Sequence, residues 1–178
     1  SSWVYVRADY IWGYPMPKDD MGYKRVSFDP SCECPECGAG RTQVAPLRLE
    51  DEPPWRGRGF MGINWTLDIC GRTEVIEHMR EHGRSGFEAA PILKYGSGDP
   101  LHTVAQLRFP HEISHGLIDT NLMRETPRCG HVKYIGASTE IYRFRADAFD
   151  GCPDFVQTAQ WFGSGHLAVR LIVASSAF

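Results

Sequence analysis

Long apolar runs are the first thing this sequence lacks. No stretch approaches the roughly 18 to 20 apolar residues that a membrane span requires, so no transmembrane helix is expected. Strong charge of either sign is missing too: 19 Lys and Arg against 22 Asp and Glu leave a formal net charge of −3. A dedicated nucleic-acid binder would carry a basic footprint, and that class is disfavoured here. The opening SSWVYVRADY has neither the basic start nor the long apolar core of a secretory signal. It also lacks an initiator Met, as a processed or excised chain would. A cytoplasmic protein is therefore expected, in a compartment where cysteines bind metal or stay free. No G-x-x-x-x-G-K-[ST] phosphate loop occurs, and GSGDP and GSGH read as turns.

What is present is a globular composition: 178 residues, 42% hydrophobic and 23% charged, which argues against disorder. Eighteen Gly and twelve Pro predict many turns and short elements. The expected fold is α+β and β-rich, a mixed sheet with few short helices, in a single domain over residues 1–178. Within it, WVYVRADYIW (3–12), KRVSF (24–28), NWTLDIC (64–70), FEAAPILKY (87–95) and TVAQLRF (103–109) read as strands. Residues 43–58 read as loop with one short strand. GRTEVIEHMREHGRSG carries Val75, Ile76 and Met79 on one side and Glu74, Glu77, Arg80 and Glu81 on the other, which predicts a helix capped by Thr73 and ended by Gly83. Strand, helix and following strand make a β-α-β unit. KYIGASTEIYRF reads as a hairpin. HLAVRLIVASSAF reads as a strand with a Ser-Ser helix cap, a partial repeat of LDICGRTEVI.

The chemistry concentrates in the cysteines. Cys34-Pro-Glu-Cys37-Gly38 has knuckle spacing, since two thiolates three residues apart on a tight turn can reach one tetrahedral ion at about 2.3 Å. Gly38 lets the backbone fold over the sulfur. One such pair is half a site. The other half is offered by PRCGH, where Cys129-Gly130 repeats the Cys-Gly ending, although Thr126 stands where a second pair would begin. Cys32 or His131 can supply the fourth ligand, with Cys152 an outside candidate. The predicted knuckle is thus built from residues 32–38 and 126–131 and holds a structural Zn²⁺. Cys70, at the end of an apolar strand, reads as a buried, inert thiol. A redox pair would instead head a helix, which Gly38-Ala-Gly40 does not favour.

CPECG (34–38), PRCG (127–130) and WTLDICGRTEVIEHMREHGRSGFEAAPI (65–92) together resemble the double-CxxCG family, found especially in myxobacteria. DAFDGCPDF and LIVASSAF resemble a following segment of that family. The resemblance covers about half of the chain and matches Cys34, Cys37 and Cys129. It implies a zinc-stabilised bacterial binding protein whose partner is another protein, since some members are immunity proteins paired with contact-delivered toxins.

A rival motif is His111-Glu112-Ile113-Ser114-His115, which fits H-E-x-x-H. On a helix its histidines would share one face and hold zinc, with Glu112 as general base of a hydrolase or metalloprotease. Glu125 or Glu140 would complete such a site. Gly116 weakens the required helix, and the pattern also arises by chance in a chain with seven histidines. VKYIGASTEIYRFR could stack on bases, against the charge balance. Asp19-Asp20 and Glu50-Asp51-Glu52 read as solvated acidic surface, and Asp147, Asp150 and Asp154 match no calcium loop. Trp55, between Pro54 and Arg56-Gly57, is expected near a surface or a partner.

Overall fold

A computed structural model describes residues 2–118, 122–135 and 142–176. Its chain gathers into two units, each made of separate stretches: Ser1–Val6, Ser31–Arg41 and Phe109–Phe178 form one, and Arg7–Pro30 with Thr42–Arg108 the other. Strand β1 (Trp3–Val6) opens the first unit and stops where its apolar run ends, at Arg7. No described helix is long and apolar enough to cross a membrane.

In the second unit the strand expected at KRVSF is absent: Tyr23–Ser27 is a helix, α1, and only Phe28–Asp29 is extended, as β2. The buried residues of α1 are Tyr23 and Ser27, four apart, which is the helical spacing. β3 (Thr42–Gln43) pairs antiparallel with β2, and β4 (Arg48–Leu49) follows. The one short strand expected between residues 43 and 58 is β4, with Gln43 closing β3 ahead of it.

β5 (Phe60–Gly62) and β6 (Ile69–Arg72) form a hairpin, so the strand expected over residues 64–70 starts late. Residues 64–66 turn instead. Asn64 donates its side-chain amide to the Gly13 carbonyl at 2.7 Å, and Trp65 adopts φ +66° while stacking on Tyr23. Helix α2 (Thr73–Glu81) buries Ile76 and Met79 and exposes Glu74, Glu77, Arg80 and Glu81, as the periodicity predicts. Its cap differs from expectation: Arg72 is the N-cap, and the Thr73 hydroxyl donates to the His102 carbonyl at 2.9 Å. Its C-terminus closes through Gly83 at φ +70°, with Gly83 N–H on the Arg80 carbonyl and Arg84 N–H on that of Met79. That is the double-bonded glycine termination of a helix.

β7 (Glu88–Lys94) and β8 (Pro100–Arg108) complete the sheet, in the order β4-β7-β8-β6-β5. Both β6 and β7 run antiparallel to β8, so they are parallel to each other with β8 between them: a split β-α-β unit. Leu47, Leu49, Met61, Ile63, Cys70, Ile92 and Val104 fill the core. Trp55 belongs to this core as well, contrary to expectation, because Thr103 Oγ1 accepts its indole N–H at 3.2 Å. Glu52 is not free acidic surface either; it accepts from the Thr103 hydroxyl and from the backbone N–H groups of His102 and Thr103.

In the first unit, the remaining strands are β9 (Glu112–Ile113), β10 (Leu117–Ile118), β11 (Met123–Glu125), β12 (Lys133–Ile135), β13 (Arg143–Phe144), β14 (Phe155–Thr158), β15 (Trp161–Phe162) and β16 (Ile172–Ser175). A four-stranded sheet runs β1-β16-β14-β9 and a three-stranded one β11-β12-β15. The described ends of the expected KYIGASTEIYRF hairpin pair elsewhere, β12 with β11 and β15, and β13 with β10; residues 136–141 between them lie outside the described residues. Ser175 stays in β16 rather than capping a helix, and residues 177–178 beyond it are outside the described residues. Ile113, Val156 and Val173 form the sheet's buried layer, with Trp3, Phe144 and Phe149 packed against it.

Candidate metal centre

Two loops of the first unit build the site. The first is the turn at residues 34–40, closed by Cys34 N–H on the Ala39 carbonyl and Gly38 N–H on the Cys34 carbonyl, each at 2.8 Å. Gly38 (φ +75°) and Gly40 (φ +88°) are required here twice over. Both are left-handed, and a Cβ would stand 2.2 Å from the His166 carbonyl oxygen at Gly38 and 2.4 Å from the Cys32 carbonyl oxygen at Gly40. The second loop, residues 126–132, joins antiparallel β11 and β12 and turns at Gly130, whose N–H meets the Pro127 carbonyl at 2.9 Å. Glu36 draws the loops together by accepting the Arg128 backbone N–H at 2.6 Å.

The result brings Cys34, Cys37, Cys129 and His131 together, with one ligand atom of each within 4.8 Å of the others. Cys37 Sγ and Cys129 Sγ lie 3.3 and 3.5 Å from His131 Nδ1. A tetrahedral ion bound at about 2.3 Å by sulfur and about 2.05 Å by nitrogen needs S···N separations of roughly 3.6 Å, close to those observed. The donor chemistry fits as well, because thiolates with an imidazole select a soft or borderline ion in tetrahedral geometry. The group can therefore hold a metal ion. Among the described residues it is the one group of three or more metal-ligating side chains that meets this geometry.

Local electrostatics are graded. Backbone N–H groups of Cys37 and Glu36 directed at Cys34 lower its pKa to about 6. Burial raises Cys37 to about 11, and the neighbouring thiols of Cys129 and Cys34 add to that. Three thiols this close cannot all ionise without a cation among them, which is what a divalent ion supplies.

Of the two options for the fourth ligand, His131 joins the group and Cys32 does not; Cys32 is exposed, its sulfur 4.0 Å from Ser31 Oγ. Thr126 is exposed and takes no part. Cys152 packs beside Phe149 in the sheet layer, outside the group. Cys70 is fully buried, and burial pushes its thiol well above the usual range, as an inert core cysteine requires.

Residues 111–115 do not form the helix that H-E-x-x-H chemistry needs. Glu112–Ile113 is strand β9, paired parallel with β14, so Ile113 points into the core and Glu112 away from it. Glu112 is held by the Arg170 guanidinium, itself 4.8 Å above the Trp161 ring. In extended backbone residues i and i+4 share a face but stand about 13 Å apart, too far for one ion to bridge, and among the described residues His111 and His115 enter no metal-ligating group. Glu125, one proposed third ligand, is paired with Lys133 instead; Glu140 lies outside the described residues.

Lys133 is the functional residue that sequence reasoning missed. It has no exposed surface, yet its ammonium donates to the carbonyls of Cys37 at 3.1 Å, Leu167 at 3.2 Å and Gly165, with Glu125 at 3.5 Å. It ties the Cys37 turn to the 165–167 loop. Nothing in HVKYIG signals this, because a lysine in a short alternating strand reads as solvent-facing. No family model, curated protein or solved structure matches this chain.

Proposed function

We propose that the Cys34, Cys37, Cys129, His131 centre is a structural zinc site, and that the protein is a zinc-stabilised binding protein of the bacterial cytoplasm rather than an enzyme. The observation that carries this is the closed set of four protein ligands. Structural zinc sites use four protein ligands, whereas catalytic ones keep a position open for water or substrate. By its resemblance to the double-CxxCG family, the partner is a protein, and the role is that of an immunity protein that neutralises a cognate toxin. Recognition would then belong to the surface, with the metal serving the fold beneath it.

Elemental mass spectrometry tests the metal. One zinc per chain is expected for the wild type, and none for Cys129→Ser or His131→Ala. Retention of zinc by both variants, with loss in His111→Ala, would move the metal to residues 111–115 and revive the hydrolase. The partner is tested separately, by expressing each gene that flanks its own in a bacterial host, alone and together with this protein, and following growth. Restored growth supports the immunity role. Failure to restore it, with zinc still bound, sinks that role and leaves the structural centre standing.

A further inference from the structure

Helix α2 ends on two histidines that the cysteine centre does not use. His78 and His82 are four residues apart, hence on one face and one turn from each other. Their rings lie 4.0 Å apart between centroids, tilted by 45°, and both residues are exposed. His82 Nδ1 faces the His78 backbone carbonyl at 2.8 Å. A carbonyl only accepts, so Nδ1 carries the proton and the lone pair of His82 sits on Nε2, away from the helix. The ring of His78 makes no hydrogen bond among the described residues and is free to turn its own nitrogen beside that of His82.

We propose that His78 and His82 form a second metal-binding site, on the last turn of α2, for a borderline divalent ion such as Ni²⁺ or Zn²⁺ bound through one nitrogen of each ring. Two nitrogens on one ion at about 2.05 Å stand roughly 3 to 3.5 Å apart, which rings 4.0 Å apart reach with a small rotation. Imidazole suits these ions, and a His pair at i and i+4 of a helix is a known chelating arrangement. The hydrogen bond from His82 to the main chain supplies the outer-shell support that fixes a ligating imidazole. Electrostatics favour a cation as well. The site lies at the negative end of the helix dipole, and Glu77 and Glu81 share the helix with it. Arg80 opposes, while Glu74 is occupied by Arg72 at 2.9 Å. Water would fill the remaining positions, so the site is open where the cysteine centre is closed. It stands independently of the zinc assignment made above.

The test is calorimetric titration of NiCl₂ into the purified protein at pH 7.5, with zinc release followed by a chromogenic chelator. One Ni²⁺ per chain is expected without zinc release, with affinity at least tenfold weaker in His78→Ala and in His82→Ala and unchanged in His102→Ala. Ni²⁺ should broaden amide resonances of residues 78–83 in the wild type and leave them sharp in the double variant. His78→Asn and His82→Asn, with helix content checked by circular dichroism, guard against a folding artefact. Isotherms that are the same in wild type and both single variants overturn the proposal. So does nickel uptake that only displaces zinc.

Discussion

Lys133 buries its amino group beside the Cys37 turn, and the carbonyls of Cys37, Gly165 and Leu167 together with Glu125 offset its desolvation. Removing such a group leaves several buried acceptors unpaired. Lys133→Met should therefore destabilise the fold by about 3 kcal/mol, read as a fall in the urea midpoint, and should also weaken retention of any metal held by the cysteine group, because the Cys37 turn loses its anchor. An unchanged midpoint would show that water replaces the ammonium. Glu52 supplies a pH-dependent case. Burial alone would raise its carboxyl, but the Thr103 hydroxyl and the N–H groups of His102 and Thr103 outweigh it and hold the group below its ordinary value. A depressed folded pKa adds stability above the unfolded value of about 4.3 and loses it as pH falls through the folded value. The stability gap between wild type and Glu52→Gln should thus be about 1 kcal/mol at pH 7 and shrink at pH 3; a gap independent of pH would contradict the assignment.

At the scale of elements, α2 was legible because nine residues span enough turns for the spacing of Ile76 and Met79 to stand out, and because Gly83 marks the end. A Cβ at Gly83 meets nothing within 4 Å, so Gly83→Ala isolates backbone strain at φ +70° and should cost about 1 kcal/mol in thermal or urea unfolding. A change below a few tenths would mean the helix end readjusts freely. Elements of two residues carry no period at all, and β2, β3 and β9 are not legible in the sequence for that reason. Residues 111–115 show how this misleads. Five residues fit both a helical motif and a strand, and pairing with β14 decides for the strand. Glu112→Gln should accordingly cost less than about 1 kcal/mol, through its partly exposed pair with Arg170.

At the scale of the molecule, one ion at the centre would close a loop of about ninety residues between Cys37 and Cys129, where the entropy removed from the unfolded chain is large and metal affinity becomes folding free energy. Chelation should lower the melting temperature by about 10 °C or more, as a loss of several kcal/mol does in a chain of this size. Hydrogen exchange should then speed up at residues 31–41 and 122–135, while β7 and β8 keep their protection. Uniform loss of protection, or none, would contradict a centre that stabilises its own unit.

The sequence by itself determined what short-range covalent geometry controls: the Cys34–Cys37 turn with Gly38 behind it, helix α2, the strands β7 and β8, and the buried thiol of Cys70. Tertiary structure alone decided which distant group completes the site. Cys32 and His131 were equally near in sequence to a ligand, and it is the β11–β12 hairpin that delivers His131. The burial of Lys133 and of Trp55, and the extended state of residues 111–115, were decided in the same way. A turn closes through bonds and hydrogen bonds within a few residues, so its signature is written locally. The arrival of a side chain from ninety residues away depends on the summed pairing and packing of whole sheets, which no short stretch of sequence records.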